Sequence, residues 1–540
     1  MQDFDFIIVG AGSAGCVLAN RLTESGAHQV LLIEAGGSDR RFWIRTPIGY
    51  GMTFLDETVN WKFEADRDPG LGGRDVYVPR GKVIGGSSSI NAMVYARGAK
   101  TDFEDWRDAG NPGWGWNDVK RAFEAIETRV TKDGTTRGHG PLTVSDRQYD
   151  YHPLKRHFMN AAHEAGLRLA NGEPSENFAG NGEEGFGPYV INTRKGLRCS
   201  SADAFLHPIK HRKNLTILTE AQVAKILFEG KRASGVSYRK DGMVHAVRAR
   251  REVILSAGAI QSPQLLQLSG IGPGALLQEN NIPVLHANEG VGAHLEDHVG
   301  INYYYRAKEP TLNAVLGTWA GRIAAGVQFI LTRTGPLSLS VNQYGGIVRS
   351  SETLDRPDMQ LYFNPLSYST ENSGKRKLTK PDPWPGFILS FNPCRPTSHG
   401  HVRITSPDSF KQPGILFNYL STNHDLEEAV RGARLIGKVQ NTAAMQALLA
   451  APPQFDPSRE SEESIIADFR KRSGSVYHPT CTCRMAPEAQ GGVLDPHLRV
   501  HGVDGLRVVD ASSFPNITSA NTSAPTMMLA WRAAEFILNG

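Results

Sequence analysis

Short apolar runs, separated by polar and glycine-rich segments, dominate the beginning of the chain. Phe4–Val9 is an apolar run interrupted by Asp5, and Val30–Ile33 is wholly apolar; both have strand length, as expected for parallel strands buried on both faces. Between them, Cys16–Thr23 has apolar residues at helical spacing, so the pattern predicts a strand–helix–strand unit. The same reasoning predicts helices over 115–128 and 153–168, strands over 215–219, 223–228 and 252–256, and an apolar helix that ends at Ser269.

The turn between the first strand and the first helix has the spacing of a dinucleotide-binding loop. Gly10, Gly12 and Gly15 form Gly-x-Gly-x-x-Gly, and Glu34 stands 19 residues beyond Gly15 at the end of the second strand. The first glycine allows the tight turn, the second lets the backbone approach a pyrophosphate, and the third lets the helix pack on the strand. The helix N-terminus favours phosphates. Glu34 suits a ribose hydroxyl, which argues against the 2′-phosphate of NADP.

The pattern changes near residue 300 and changes back near the C-terminus. Residues from about 300 to 460 alternate strands with amphipathic helices, whereas Leu506–Val509 is again an apolar strand, followed by Asp510–Ser512 and a helix over 526–538. A second nucleotide-type strand so far from the first turn suits a long cofactor, which favours FAD over NAD. We predict an α/β fold with a discontinuous, Rossmann-like FAD-binding domain at 1–155, 196–300 and 462–540. An α+β substrate-binding domain built on an antiparallel sheet is inserted at 156–195 and 301–461.

Composition and charge exclude several other classes of protein. The net charge of +4 over 540 residues gives no basic stripe for nucleic acid. The odd, scattered set of five cysteines indicates reduced thiols, and Cys481-Thr-Cys483 lacks the second half of a metal site. Acidic residues stand where a secretory leader carries positive charge, so we expect a cytoplasmic protein. The apolar stretch Leu312–Arg333 is either a substrate-domain helix or a peripheral contact with the inner face of a membrane.

Five longer segments carry further motifs: 80–91, 258–272, 291–298, 398–404 and 477–485. Together they resemble the glucose–methanol–choline (GMC) oxidoreductase family, and most closely its choline-dehydrogenase-like branch. The similar segments follow one another in the order of the family, from residue 5 to residue 538. The resemblance implies FAD-dependent oxidation of a CH–OH donor, in which a primary alcohol becomes the aldehyde and the hydride passes to flavin N5.

Alcohol oxidation also requires a base for the hydroxyl proton, and histidine has a suitable pKa. The resemblance identifies His478 as that base and Asn521 as the group that holds the substrate oxygen, because an asparagine cannot take a proton. Asn521 can equally be a residue of a helix N-terminal turn. Some relatives bind flavin covalently through a histidine at the position of Ile90. Isoleucine has no nucleophile, so we predict non-covalent FAD.

The loop pattern and the resemblance together imply a set of cofactor-binding residues. Within it, Asn91 and the backbone near Val83, Gly86 and Ser87 are expected beside the isoalloxazine, and Val223 and Ala257 near the adenosine. The full set is Gly10, Gly12, Ser13, Ala14, Gly15, Glu34, Ala35, Arg80, Val83, Gly85, Gly86, Ser87, Asn91, Ala92, Met93, Val94, Val223, Ala257, Gly258, Tyr477, Asp510, Ala511, Thr522, Thr526 and Met527.

The sequence indicates the substrate less clearly than the cofactor. Gln343 occupies the position where choline-oxidising relatives carry an acid, which weakens the case for a cationic alcohol. Candidates for an apolar substrate wall are Tyr344, Tyr362, Phe387 and Phe391, although apolar alternation in strands is also the pattern of an ordinary core.

Two further alternatives concern the reaction. A hydroxynitrile lyase that retains FAD as a structural element would use the same base without redox chemistry. Within redox chemistry we favour a dehydrogenase over an oxidase, following the branch resembled. The electron acceptor is then oxygen, a quinone or another carrier, and the other partner is a small-molecule alcohol.

Overall fold

Two large sheets organise the chain. The computed structural model describes residues 3–131, 133–170, 184–370 and 376–539. The strands are β1 Asp3–Val9, β2 Val30–Ile33, β3 Phe63–Asp68, β4 Arg74–Val78, β5 Glu127–Val130, β6 Thr136–Arg137, β7 Leu142–Ser145, β8 Gly185–Pro188, β9 Thr193–Arg194, β10 Leu197–Arg198, β11 Leu215–Leu218, β12 Gln222–Glu229, β13 Arg232–Lys240, β14 Met243–Leu255, β15 Ile271–Gly272, β16 His286–Ala287, β17 Val299–Arg306, β18 Tyr344–Val348, β19 Met359–Asn364, β20 Tyr368–Thr370, β21 Arg376–Pro381, β22 Gly386–Pro393, β23 His401–Arg403, β24 Gly414–Leu416, β25 Gly474–Ser475 and β26 Leu506–Val508.

The helices fall between and beyond these strands. They are α1 Ser13–Leu22, α2 Phe42–Arg45, α3 Tyr50–Thr53, α4 Lys100–Asp108, α5 Trp116–Ile126, α6 Lys155–Glu164, α7 Gly258–Leu268, α8 Gly274–Glu279, α9 Leu312–Leu316, α10 Trp319–Thr332, α11 Asn423–Gln440, α12 Ala443–Leu448, α13 Glu462–Arg472 and α14 Ser523–Asn539.

The first sheet has seven strands and a parallel centre. Strands β11, β2, β1 and β14 lie side by side in that order, all parallel. The other edge of β14 is shared: residues 253–255 pair in parallel with β26, and residues 243–248 pair antiparallel with β13, which pairs with β12. These strands match the predicted apolar runs except for β13 and the first half of β14. Those segments mix polar and apolar residues because the β12–β13–β14 meander has a solvent-facing side.

The second sheet is antiparallel, as predicted for the substrate-binding part. Its strand order is β25-β17-β22-β19-β18-β8. Helices α6 and α11 contact this sheet, and α13 packs on α11. The α/β class with a Rossmann-type sheet and a separate antiparallel sheet is therefore confirmed. The domain boundaries stay a prediction, and β25 in particular lies within 462–540 although it pairs with β17 of the second sheet.

The cysteines and the apolar helices can be compared directly with the sequence expectations for thiols and for membrane contact. All five cysteines are buried and none forms a disulfide. Among the described helices, none is both long and apolar enough to cross a bilayer. The apolar stretch 312–333 forms the adjacent helices α9 and α10.

Candidate active site

One extended cavity reaches from the first βα turn to the second sheet. Its cofactor end is lined by residues of the loops after β1, β2 and β14 and by residues 80–81, 86–88 and 90–94. Its opposite end is lined by residues of β17, β19 and β22 and by the segments 476–479 and 521–526. The cavity thus joins the two parts of the fold that the sequence assigned to cofactor and substrate.

The glycines of the first loop bring two backbones into close contact. Gly10 has φ +102°, and a Cβ there would lie 2.4 Å from the carbonyl oxygen of Ser256. A Cβ on Gly86 would lie 2.7 Å from Cα of Gly12, and the Gly85 N–H donates to the Ala11 carbonyl at 2.7 Å. Side chains are excluded here, so the surface beside the N-terminus of α1 consists of backbone. That is the chemistry that a pyrophosphate requires.

Glu34 lines the cavity and is buried. One carboxylate oxygen accepts the Ala11 N–H and the other accepts the Gly36 N–H, both at 2.8 Å. Burial raises the pKa of Glu34 to about 7, against the lowering effect of those N–H groups. Each oxygen retains a second lone pair. The residue therefore fixes the loop and can also accept a hydrogen bond from a ligand in the cavity.

Asp510 stabilises the opposite wall of the cofactor end of the cavity. Its carboxylate accepts the Gly258 N–H at 2.8 Å, the Ser262 hydroxyl at 2.6 Å and the Ser512 N–H at 2.8 Å. The two loops that follow β14 and β26 are thereby held together along the cavity wall. This arrangement explains why a residue so late in the chain belongs to a nucleotide-type site.

Most of the predicted cofactor residues line the cavity, and four do not. Gly15 packs against the first loop, where a Cβ would lie 1.9 Å from the Gly10 carbonyl oxygen. Val83 is buried among apolar side chains, Gly85 bonds the Ala11 carbonyl, and Met527 lies in the core. These four residues pack behind the lining residues and support the cavity wall. The predicted residues that do line it are Gly10, Gly12, Ser13, Ala14, Glu34, Ala35, Arg80, Gly86, Ser87, Asn91, Ala92, Met93, Val94, Val223, Ala257, Gly258, Tyr477, Asp510, Ala511, Thr522 and Thr526.

His478 and Asn521 meet where the two ends of the cavity join. The side-chain nitrogen of Asn521 lies 3.0 Å from Nε2 of His478, and both residues line the cavity. The Nδ1 atoms of His478 and His298 are 2.9 Å apart, and Nε2 of His298 lies 2.9 Å from the Cys394 carbonyl oxygen. The two imidazoles meet nearly perpendicular, at 87°.

This chain of contacts determines which nitrogen of His478 is basic. A carbonyl oxygen only accepts, so Nε2 of His298 carries its proton. Burial lowers the pKa of His298 to about 4, so the ring is neutral near pH 7 and its Nδ1 accepts. His478 must then donate through Nδ1–H, which leaves the lone pair of its Nε2 directed towards Asn521 and the cavity.

The backbone of the His478 loop is held by Asp297. The buried carboxylate accepts the His478 N–H at 2.6 Å and the hydroxyls of Tyr419 and Ser475, each at 2.5 Å. Burial raises the pKa of Asp297 to about 6. Tyr477 adopts a left-handed φ of +72°, which is uncommon for a tyrosine. The loop is thus locked in a conformation that it would not otherwise favour.

Asn521 is oriented in turn by the second sheet. Its side-chain oxygen accepts from Gln360 Nε2 at 3.1 Å and lies 3.5 Å from the Tyr362 hydroxyl. With its oxygen so engaged, the amide N–H₂ faces His478 and the cavity. Asn521 also lies two residues before Ser523, the first residue of α14.

The substrate wall was only partly predicted. Tyr362 and Phe391 line the cavity, whereas Tyr344 and Phe387 pack around Phe158 of α6 on the other face of the sheet. For Tyr344 the reason is strand alternation, because it pairs with Phe363, whose neighbour Tyr362 projects to the opposite face of the sheet. Tyr344 and Phe387 are therefore not among the residues that line this cavity.

Gln343 also lies away from the cavity. Its side-chain oxygen accepts the His152 N–H at 2.8 Å and it is buried, while its neighbour Asn342 lines the cavity. Sequence reasoning did not find several lining residues of the substrate end, which carry ordinary polar or apolar side chains in strands and short helices. They include Tyr50, Phe54, Trp61, Asn302, Asn342, Asn364, Tyr368 and Ser390.

Comparison with known sequences assigns the chain to a family. The family model described as GMC oxidoreductase matches residues 4–300, and its C-terminal counterpart matches residues 396–530. The chain belongs to the GMC oxidoreductase family. Two curated relatives of this family are the oxygen-dependent choline dehydrogenase of Photobacterium profundum, 38% identical over 99% of this chain and 93% of the relative, and the alcohol dehydrogenase [acceptor] of Pseudomonas putida, 39% identical over 99% and 96%.

Solved structures agree with this membership of the GMC family. Pyridoxine 4-oxidase from Mesorbium loti superposes with a TM-score of 0.85 at 30% identity, covering 99% of both chains. An FAD-dependent oxidoreductase from Chaetomium thermophilum gives a TM-score of 0.88 at 27% identity, again covering 99% of both chains. The protein is therefore an oxidoreductase with the two-part architecture of the GMC family.

Proposed function

We propose that the protein uses non-covalent FAD to oxidise an uncharged primary alcohol to the aldehyde. The observation that carries this proposal is the hydrogen-bond chain from the Cys394 carbonyl through His298 to His478. That chain leaves one lone pair, on Nε2 of His478, facing the cavity beside the Asn521 amide. A base and a hydrogen-bond donor 3.0 Å apart are what an alcohol hydroxyl needs as its proton leaves.

The residues of the cofactor end fit FAD. The side-chain-free contact of Gly12 with Gly86 suits a pyrophosphate, and Glu34 suits a ribose hydroxyl. Ile90 lines the cavity with a purely hydrocarbon side chain, which supports non-covalent attachment. When bound, FAD would supply the hydride acceptor at N5.

The protein's own residues would then handle the hydroxyl. Asn521 donates to the substrate oxygen through its N–H₂ group while its own oxygen stays engaged with Gln360. His478 accepts the hydroxyl proton at Nε2 and already donates through Nδ1–H to His298. Arg80 is half-buried and lines the cavity; loss of solvation lowers the pKa of its guanidinium to about 10, so it stays cationic. Its positive charge, near the His478 loop, favours negative charge developing in the cavity.

The composition of the substrate end supports an uncharged alcohol. Its polar groups include the amides of Asn302, Asn342 and Asn364 and the hydroxyls of Tyr362 and Ser390. Among the described lining residues, the carboxylates are those of Glu34 and Asp510, and both belong to the cofactor end. A quaternary ammonium would lack an opposite charge there, whereas aromatic rings such as Tyr362 and Phe391 suit an alkyl or aryl group.

The names of the curated relatives support a dehydrogenase rather than an oxidase as the starting hypothesis. The decisive test is the visible spectrum of the FAD-loaded protein under argon, before and after addition of 1-hexanol, benzyl alcohol or choline. We expect the flavin band to bleach with at least one neutral alcohol and to persist with choline. Bleaching by choline alone would refute the uncharged-substrate proposal.

Two extensions of the same experiment address the alternatives. Rapid return of the yellow colour in air would indicate an oxidase, and slow return with fast return on adding a quinone would indicate a dehydrogenase. Protein that holds FAD, never bleaches and cleaves a hydroxynitrile would replace the redox proposal with the lyase reaction. Flavin that remains in the acid-precipitated pellet would disprove non-covalent binding.

A further inference from the structure

Helix α10 presents an unusual surface. Of its fourteen residues only Ala325 and Phe329 are buried. The opposite face is apolar rather than polar: Trp319, Ile323, Val327, Ile330 and Leu331 each expose between 46% and 81% of their surface. Surface helices normally direct such residues inwards. A continuous exposed apolar stripe of this kind marks a surface that binds another apolar phase.

The stripe continues onto two neighbouring short helices. The ring of Phe42, in α2, contacts that of Phe329 with centroids 6.4 Å apart, and Phe42 and Trp43 are themselves exposed. Just beyond, Met52 of α3 and the following Leu55 are exposed as well. We call the exposed residues of α10 and the segment 42–55 the α10 patch.

Charge at the α10 patch has one predominant sign. The stretch 312–333 contains Arg322 and Arg333 and no acidic residue. Arg322 donates to the Leu316 and Thr379 carbonyls, and the Arg333 guanidinium lies 5.1 Å above the Phe329 ring. Within the described residues, neither of these exposed arginines forms an ion pair. Arg40 and Arg41 add positive charge beside α2, where Asp56 lies 3.8 Å from Arg41.

We propose that the α10 patch rests on the surface of an anionic lipid bilayer. Tryptophan and aliphatic side chains on one face of a helix, flanked by arginines, are the composition of a helix that lies in the membrane interface. An acidic protein partner would pair with the arginines but not with the apolar stripe, and a second copy of this chain would bring positive charge against positive charge. An anionic lipid surface matches both the stripe and the charges.

The α10 patch lies next to the substrate end of the cavity, which gives the proposed membrane contact a functional role. Tyr50 and Phe54 line the cavity, while Met52 and Leu55 of the same segment are exposed in the patch. Leu312 of α9 packs in one apolar cluster with Tyr50 and Tyr368, which are both cavity-lining residues. The patch therefore lies directly behind the substrate-end wall, and membrane contact would bring apolar molecules of the bilayer close to it.

Vesicle binding tests the proposal independently of any catalytic activity. FAD-loaded protein is sedimented with vesicles of phosphatidylserine and phosphatidylcholine in equal parts, and with vesicles of phosphatidylcholine alone. The patch variant is Trp319→Ser, Ile330→Ser, Leu331→Ser. The matched control is Met243→Ser, Val244→Ser, which removes exposed apolar residues from the β13–β14 hairpin. Flavin content verifies that both variants are folded.

We expect wild type and control to bind the anionic vesicles alike, and the patch variant to need about tenfold more lipid or more. Replacing both arginines, Arg322→Gln and Arg333→Gln, should weaken binding by about fivefold per arginine, and the difference should shrink in high salt. Absence of wild-type binding, or equal loss in the control, would overturn the proposal. Sedimentation velocity tests whether a second copy of the chain occupies the α10 patch instead. If the wild type is a dimer, the patch variant is a monomer and neither binds vesicles, the patch is a dimer interface and the membrane proposal is wrong.

Discussion

The two ends of the cavity are formed by different kinds of groups, mainly backbone at the cofactor end and side chains at the substrate end. The cofactor end consists largely of backbone: glycines that exclude Cβ atoms, N–H groups at the start of α1, and two carboxylates, Glu34 and Asp510, whose bonds go mainly to backbone N–H groups. The substrate end consists of side chains on antiparallel strands, such as Tyr362 of β19 and Ser390 of β22. Between them lie His478 and Asn521, which face both ends.

This difference separates positions that tolerate few residue types from positions that tolerate many. A backbone cradle requires glycine spacing and a strand–helix junction, so few sequences satisfy it and all of them bind the same kind of group. A wall of strand side chains tolerates many residues, because any inward position can change without altering the hydrogen bonds of the sheet. Cofactor chemistry and substrate choice are therefore carried by separate sets of residues.

Removing His478, the proposed base, should have the largest effect. In His478→Ala the FAD-loaded protein should stay yellow and folded, while its flavin is reduced by alcohol roughly a thousandfold more slowly, since general base catalysis contributes about 10²–10⁴-fold. Anaerobic stopped-flow absorbance measures the rate. His424→Ala, an exposed histidine of α11, is the control and should behave as wild type. Fast reduction in His478→Ala would remove that residue from its role.

The cofactor end should respond in affinity rather than in rate. Glu34→Ala leaves the Ala11 and Gly36 N–H groups without their acceptor, which costs about 1–3 kcal/mol, or roughly five- to 150-fold in FAD affinity. Fluorescence titration of the apoprotein with FAD measures it. Glu57→Ala, an exposed glutamate in the α3–β3 loop, should leave affinity unchanged. An unaltered affinity in Glu34→Ala would contradict the assignment.

His298 connects the junction to the second sheet, and its removal should have an intermediate effect. His298→Ala deprives His478 of the acceptor that fixes its tautomer. A hydrogen bond worth about 1.4 kcal/mol corresponds to about tenfold slower flavin reduction. The flavin affinity should not change, because His298 makes no contact with the cofactor end. A rate equal to that of wild type would mean that the tautomer is fixed in another way.

The same variant has a signature in stability. The pKa of His298 is about 4 in the folded protein and near 6.5 in the unfolded chain. Between these values the unfolded chain binds a proton that the folded protein refuses, so the free energy of unfolding falls as the pH is lowered from 6.5 to 4. His298→Ala should lose this part of the dependence. Urea unfolding at pH 4.5 and 7 in both proteins measures the difference, and parallel pH profiles would contradict it.

The smallest effect is expected at the substrate end. Tyr362→Phe removes a hydroxyl 3.5 Å from the Asn521 oxygen and should raise KM for the best alcohol about two- to fivefold. Tyr344→Phe is a close control, since Tyr344 lies on a neighbouring strand and points to the other face. Steady-state kinetics measure both. Equal changes in the two variants would mean that the effect travels through the sheet rather than through the cavity wall.

The contrast between the two ends also explains what the sequence could predict. The βα turn, the strand ending at Val508 and the acid at Glu34 are local patterns, so their spacing along the chain was enough. By contrast, Tyr362 and Phe363 are neighbours in β19, and only Tyr362 lines the cavity. Register decides which, because a shift of one residue exchanges the faces of a strand.

Long-range partners were beyond the reach of sequence reasoning for a related reason. His298 and His478 are 180 residues apart, and a motif that contains one histidine does not indicate that its ring bonds the other. The strand β13 was missed because its alternating residues do not form an apolar run. In each case the missing information is the position of a second segment, which a pattern within one segment does not contain.

The order of the segments constrains biosynthesis. Six of the seven strands of the first sheet lie before residue 256, whereas β26, Asp510, His478 and Asn521 all come after residue 477. Ribosomes deliver the N-terminal part first. A nascent chain can thus assemble most of a nucleotide cradle long before any proton acceptor reaches it. With His478 as the proposed base, the cavity becomes competent for alcohol oxidation only when nearly the whole chain has been synthesised.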